Sequence, residues 1–182
     1  MAFPDSFQTP RLTAERLRQH HFADLLRMHR DERQMAPLGG VKDEEQTREY
    51  LDRNLDHWDE HGFGLWILRE GTGGPVIGRA LLRTLNVEGA DEVEVGYSFH
   101  PEFWGRGFAT EIATTLVLLG REQLGLRTIV AVTQADNAAS QRVLVKAGLE
   151  PAGDIYFTGV AHSLFRLRAP QHHSERSRTA QG

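Results

Sequence analysis

Three groups of residues have types and spacings that could do chemistry. The first is a carboxylate on an alternating stretch. Val93, Val95, Tyr97 and Phe99 interleave with Glu92, Glu94, Gly96 and Ser98, and this period of two predicts a strand. Glu94 there is either a solvated surface acid or a group placed for proton transfer, and Glu92 reads as the surface acid. The second group is Gly105, Arg106, Gly107, Phe108, Ala109 and Thr110, which follow Pro101 where the strand must stop. A glycine-rich turn that opens a helix aims several backbone N–H groups, and the positive end of the helix dipole, at one spot. Such a spot suits a phosphate or pyrophosphate. It is no P-loop, because no Gly-Lys-Ser/Thr follows. The third group is Asn137 and Ser140, at the start of a short helix, where the plain reading is capping and first-turn hydrogen bonding.

The histidines pose a rival chemistry. His57 and His61 are four apart on one helix face, as two zinc ligands can be. No third ligand is in register and the motif H-E-x-x-H is absent, so they read as solvated surface and no metal site is expected. His20–His21 and His172–His173 have no partners in sequence. His100 stands beside the glycine turn, where it could line a pocket.

The elements that must position these groups follow from apolar periodicity. Phe7 to Leu17 reads as an opening strand, with Pro10 suiting an edge position. Phe22, Leu25, Leu26 and His29 form a helical stripe. Asp43 and Gln46 have the spacing of a capping box before a helix that Gly62 ends. Strands over Phe63 to Glu70, Val76 to Leu85 and Glu92 to Phe99 are joined by short turns and so pair antiparallel. The helix after the glycine turn sets Phe108, Ile112, Leu116 and Leu119 on one face. Arg127 to Thr133 is a buried strand that should lie parallel to the preceding one. Asp136 caps a short helix ended by Gly148, and two strands, Ala152 to Phe157 and Ala161 to Leu167, close the fold.

Composition bounds the rest. The chain has 182 residues, 40% hydrophobic and 25% charged, which suits one globular domain. Residues 1–169 read as that domain, and residues 170–182 as a disordered polar tail. The formal charge of −4 argues against a nucleic-acid partner. No apolar run is long enough to span a membrane, and no export signal precedes Pro10, so the cytoplasm is the expected location. There is no cysteine, which excludes disulfide and thiolate chemistry.

The order of these elements resembles the GNAT superfamily of acyl-CoA-dependent N-acyltransferases. The match rests on T-P-R-L at Thr9 to Leu12, on E-V-G-Y-S-F-H-P-E-F-W-G-R-G-F-A-T-E at Glu94 to Glu111, and on N-A-A-S-Q-R-V-L-V-K-A-G-L at Asn137 to Leu149. Together they are similar to the RimJ/RimL-like branch. The resemblance implies an α/β (α+β) fold with a single mixed, mostly antiparallel sheet of about seven strands and about four helices, splayed at the cofactor site. It implies acetyl-CoA as cosubstrate and, with no metal, transfer of an acetyl group to a primary amine. By the same resemblance the amides of Gly105 to Thr110 hold the pyrophosphate, and Arg106 adds a charged contact. Asn137 and Ser140 contact the pantetheine, and the strand amides of Tyr97, Ser98 and Phe99 bind pantetheine and the acyl oxygen. Glu94 matches the position of the general base. Trp104 departs from the Gln or Arg that usually opens the phosphate loop, and Leu144 replaces the tyrosine that many members use as acid, leaving Ser140 for that role. The segment from Gln34 to Lys42 corresponds to the acceptor-site cover, with Met35, Pro37 and Leu38 as an apolar lid. The acceptor is a protein N-terminus or a small amine, the assembly a monomer or homodimer. A non-catalytic acyl-CoA-binding module is the second reading.

Overall fold

The computed structural model describes residues 3–157 and 159–168; the expected polar tail, 170–182, lies outside them. In chain order the elements are β1 (Ser6–Gln8), β2 (Leu12–Arg16), α1 (Phe22–Arg30), α2 (Glu32–Met35), α3 (Glu44–His61), β3 (Leu65–Glu70), β4 (Val76–Val87), β5 (Ala90–Phe99), α4 (Phe108–Gln123), β6 (Thr128–Gln134), α5 (Ala138–Lys146), β7 (Glu150–Phe157) and β8 (Val160–Arg168). The strands form one sheet in the order β1-β2-β3-β4-β5-β6-β8-β7. All neighbours pair antiparallel except β5 and β6, whose parallel alignment is what a helix crossover between them requires.

Among the described residues the sheet therefore has eight strands and there are five α-helices, one more of each than the pattern suggested. The expected opening strand is a hairpin, β1 and β2. Its turn forms because Pro10 cannot donate to a ladder and the Thr9 hydroxyl accepts the Leu12 N–H at 3.0 Å. The extra helix, α2, begins where the Asp31 carboxylate accepts the Gln34 N–H at 2.8 Å. Asp43 and Gln46 do form the capping box of α3. The cap of α5 is Asn137, not Asp136: its side chain accepts the Ser140 N–H at 3.1 Å.

Period-two alternation on β4 and β5 splits the core in two. Ala80, Leu82 and Val95 pack against Phe108, Ile112 and Leu116 of α4. Trp58 and Trp66 lie in that same cluster. Leu81 faces the other way, into Leu25, Met28, Tyr50 and Leu51 of α1 and α3. Gly78 lets the two central strands close up beside the site, since a Cβ there would stand 2.4 Å from the Ser98 carbonyl oxygen. Glu92 is not the solvated acid its position suggested, because Arg166 on β8 pairs with it at 2.6 Å. Among the described residues no helix is long and apolar enough to cross a membrane.

His29 lies fully buried between α1 and α3. The Thr47 hydroxyl donates to the Asp43 carbonyl at 2.7 Å, so it must accept from His29 Nδ1–H at 2.9 Å, and Nε2 is buried with no partner among the described residues to support a second proton. Burial first, then Arg79 and Lys42, push its pKa down to about 3. The folded value lies below the unfolded one, so this contribution to stability is complete above pH 6.5 and is lost as pH falls, because only the unfolded chain then gains the proton. Equilibrium urea unfolding should show about 2 kcal/mol lost between pH 7 and pH 5 from this residue alone. Equal midpoints at the two values would contradict it.

Candidate active site

β5 and β6 share a single bridge, Glu94 to Val130. Beyond it β6 stays with β8 while β5 stays with β4, so the sheet opens into a wedge from Val95 to Phe99. The wedge is the floor of a cavity of about 1340 Å³. Because it passes between strands, the cavity collects side chains from both faces of β5. Glu94 and Ser98 reach it from the α3 side, and Tyr97 from the α5 side.

Glu94 is 7% exposed. Its Oε2 accepts from Arg83 Nε at 2.6 Å across the β4–β5 pair. Burial pulls against the Arg83 charge, yet the Glu94 carboxylate holds the Arg83 pKa above its ordinary value. Oε1 of Glu94 has no protein partner among the described residues and remains available to water or substrate.

His57, which lines the cavity, cannot compete as a base. His57 Nε2 accepts the Thr84 N–H at 3.0 Å, so its proton sits on Nδ1 and goes to the Phe63 carbonyl at 2.8 Å. Burial lowers its pKa further. The expectation of a solvated His57 is thus corrected: it ties α3 to the segment before β3 and to β4. His100 is 2% exposed and does not line the cavity. Its backbone N–H pairs with Ile77 at 2.9 Å instead.

On the far wall the Tyr97 and Ser140 hydroxyls meet at 3.0 Å. Burial pushes the Tyr97 hydroxyl up to about 12, against the opposing pull of the Ser140 hydrogen bond, so the phenol stays protonated at neutral pH. Asn137 spends its carboxamide oxygen on the Ser140 N–H and keeps its NH₂ for a ligand. Leu144 is buried in the core. Period and motif placed Tyr97 only through its backbone; its pairing with Ser140 needed the tertiary contact between β5 and α5.

The glycine turn forms as its residue types require. Gly105 has φ 73° and Gly107, the N-cap of α4, φ 81°, the left-handed region that favours glycine. Gly105, Gly107, Phe108, Ala109 and Thr110 border the cavity, and Arg106 does not. Its guanidinium pairs with Glu70 and lies 4.8 Å over the Phe108 ring. Trp104 Nε1 donates to the Phe99 carbonyl at 2.8 Å, closing the end of β5 beside the turn.

Glu111, one turn into α4, is a further residue that sequence reasoning missed. It accepts from the Thr9 hydroxyl at 2.5 Å, the Arg11 N–H at 2.9 Å and Arg11 Nε at 2.7 Å. Arg11 Nη1 then donates to the Arg106 carbonyl at 2.8 Å. Burial raises the Glu111 pKa, but these bonds outweigh it and hold the carboxyl below its usual range. The opening Thr-Pro-Arg segment thereby grips the glycine turn across about a hundred residues of chain. Above the wedge Gln34, 2% exposed, donates to the Ser98 hydroxyl at 2.9 Å, and its Oε1 is buried without a partner among the described residues. Met35, Pro37 and Leu38 border the same cavity, as the expected lid does.

A wedge between parallel strands, with a glycine-opened helix N-terminus at one end, is the arrangement that the motifs implied. Residues 11–150 match the sequence profile of the acetyltransferase (GNAT) domain. The chain belongs to the GNAT acetyltransferases. It is an acyl-CoA-dependent N-acetyltransferase, and its cosubstrate is acetyl-CoA. This acetyltransferase is 30% identical over 115 residues to YkkB of Bacillus subtilis (strain 168), a protein of uncharacterised function, covering 63% of this chain and 67% of YkkB. A GnaT-family acetyltransferase from Bordetella pertussis has the same fold, with TM-score 0.79 and 24% identity, covering 90% of this chain and 99% of that one. RimJ of Mycobacterium smegmatis, solved in complex with a CoA-disulfide, superimposes with TM-score 0.74 at 16% identity, over 92% and 88% of the two chains. The GNAT fold and the likeness to the RimJ/RimL proteins agree with the motifs read from the sequence.

Proposed function

We propose that this acetyltransferase acetylates a primary amine, either a protein N-terminal α-amine or a small-molecule amine, by direct attack on the thioester of acetyl-CoA. The observation that carries it is the pair of proton-handling groups on opposite walls of one wedge: Glu94 on the α3 side, and Tyr97 with Ser140 on the α5 side. The donor set fits the cosubstrate. The first N–H groups of α4, behind Gly105 and Gly107, face the cavity as an anion cradle. The Asn137 NH₂ and the unpaired edge of β5 from Tyr97 to Phe99 offer hydrogen bonds to an extended amide chain. Arg106 contributes by bracing the turn through Glu70 rather than by touching phosphate.

An amine attacks only as the free base, so Glu94 Oε1 takes its proton, directly or through one water. The amine nitrogen bonds to the carbonyl carbon, and the edge amides of β5 support the oxygen as charge develops on it. The C–S bond then breaks, and the thiolate leaves as such or takes a proton from the Ser140 hydroxyl, which Tyr97 and then solvent restore while Glu94 releases its proton to water. A thiol of pKa about 8.5 leaves readily near neutral pH, so this last proton is worth less than the first.

Free-thiol release from acetyl-CoA with N-terminal peptides and small amines tests the reading. Turnover of either acceptor set is expected. Ser140→Ala and Tyr97→Phe should each slow release by about tenfold or less, and the double variant little more, because the two act as one relay. Multiplying effects in the double variant would show that they act separately. Tight acetyl-CoA binding without turnover of any amine would overturn the amine-transfer reading.

A further inference from the structure

The acceptor side of the cavity is cationic although the chain as a whole carries −4. Lys42, Arg53, Arg79 and Arg83 line it beside a single carboxylate, Glu94, on the same two strands and α3. Arg83 already has that carboxylate as its partner. Arg79 has none. It is 8% exposed, and no Asp or Glu oxygen lies within 4.0 Å of its guanidinium among the described residues. Its Nη1 donates to the Tyr50 hydroxyl, and its charge sits 4.8 Å over the Tyr50 ring. Nε is buried with no hydrogen-bond partner among the described residues. His29 offers no negative charge, and Lys42 adds a second positive one.

A buried guanidinium without a counter-charge is costly, and a fold keeps one where something else neutralises it. A neutral aromatic hydroxyl satisfies one of five N–H donors and none of the charge. Arg79 stands opposite Ser98 on β5, four residues along β4 from the Arg83–Glu94 pair. It therefore lies on the Glu94 face of the wedge, about 13 Å along the strand, backbone to backbone, from the proposed base. An amine presented to Glu94 would bring any anionic group of its own to Arg79. The planar fork of arginine matches a carboxylate in two parallel hydrogen bonds.

The geometry points to Arg79 as a recognition site for a carboxylate carried by the acceptor amine. The substrate class is then an amine bearing a nearby carboxylate, supplied either by a free α-amino acid or by the acidic side chain of a peptide's first residues. This rests on the amine-transfer reading above and narrows it. Glu94 accepts the proton and Arg79 fixes the distance between amine and anion.

The test compares two matched acceptor pairs: alanine with alaninamide, and the peptide amides Asp-Ala-Ala and Asn-Ala-Ala. Rates are corrected for the fraction of free amine. The first pair reports an α-carboxylate and the second a side-chain carboxylate. In at least one pair the carboxylate form should have a kcat/KM higher by about thirtyfold or more. Arg79→Gln should collapse that ratio towards one, and Arg79→Lys, which keeps a point charge, should retain part of it. A second readout needs no turnover. Calorimetric titration of the coenzyme A-loaded protein with N-acetylalanine should show binding that N-acetylalaninamide lacks and Arg79→Gln abolishes. Equal rates within both pairs overturn the proposal, as does a carboxylate preference that survives in Arg79→Gln. If no amine reacts but N-acetylalanine still binds through Arg79, the carboxylate site stands and the transfer reading falls. If no amine reacts and no carboxylate binds, both fall. Should the variants fail to fold, the wild-type ratios and titrations decide alone.

Discussion

Glu94→Gln is expected to lower kcat/KM for the amine acceptor by about a hundred- to ten-thousandfold at neutral pH. The substitution keeps the shape of the side chain and an oxygen to accept from Arg83 Nε, so the β4–β5 pairing should survive. What it removes is the free Oε1 lone pair as a proton acceptor. The deficit should shrink as pH rises, since the acceptor then loses its proton to solvent, and an α-amine of pKa about 7.7–8.0 recovers at lower pH than a lysine at about 10.4. Binding of acetyl-CoA should be unchanged. A pH–rate profile of the two proteins settles the matter: parallel curves of equal height would remove Glu94 from proton transfer and leave it as the partner of Arg83.

The next largest effect is expected far from the reacting atoms, at Glu111. Glu111→Gln cannot accept three hydrogen bonds with the same charge, and it leaves Thr9 and Arg11 without their anion. Arg11 is half-exposed and partly solvated, so the loss of stability should be about 2 kcal/mol rather than the full cost of a buried ion pair. The functional consequence runs through the Arg11 bond to the Arg106 carbonyl, which holds the turn that opens α4. Acetyl-CoA should bind about tenfold more weakly, or about 1.4 kcal/mol, with kcat at saturation little affected. Calorimetric titration with coenzyme A and a melting curve read the two effects separately. A lowered melting temperature with unchanged affinity would mean that Glu111 anchors the β1–β2 hairpin and nothing more.

The positions that depart from the usual motifs make particular contacts of their own. Trp104 stands where the phosphate loop commonly opens with a hydrogen-bonding side chain, and here its indole N–H caps the Phe99 carbonyl. The turn is then secured from outside, by Glu111 and Arg11 on one side and by the Arg106–Glu70 pair on the other. Leu144 fills the core, and Tyr97 brings a phenol to Ser140 from β5.

Local pattern sufficed wherever a residue's role depends on its near neighbours. The alternation of Glu92 to Phe99, the glycines that require positive φ at 105 and 107, the Asp43–Gln46 box and the apolar stripe of α4 each belong to one element. The structure places each of these where the pattern put it. The two motifs, read together, also carried the family and its acetyl-CoA chemistry. Tertiary structure alone decided which charges meet. Nothing within the chain's local order says that Arg166 will neutralise Glu92, that His57 will bond both Thr84 and Phe63, or that Glu111 will bind a hairpin a hundred residues away. Those contacts arise from strand register and from the docking of helices on the sheet, which are set by the burial of whole apolar faces rather than by any one residue. The same cause leaves Arg79 enclosed and without a carboxylate among the described residues: its register opposite Ser98 is dictated by the β4–β5 ladder, and the cavity it faces opens where β5 and β6 part after Val130.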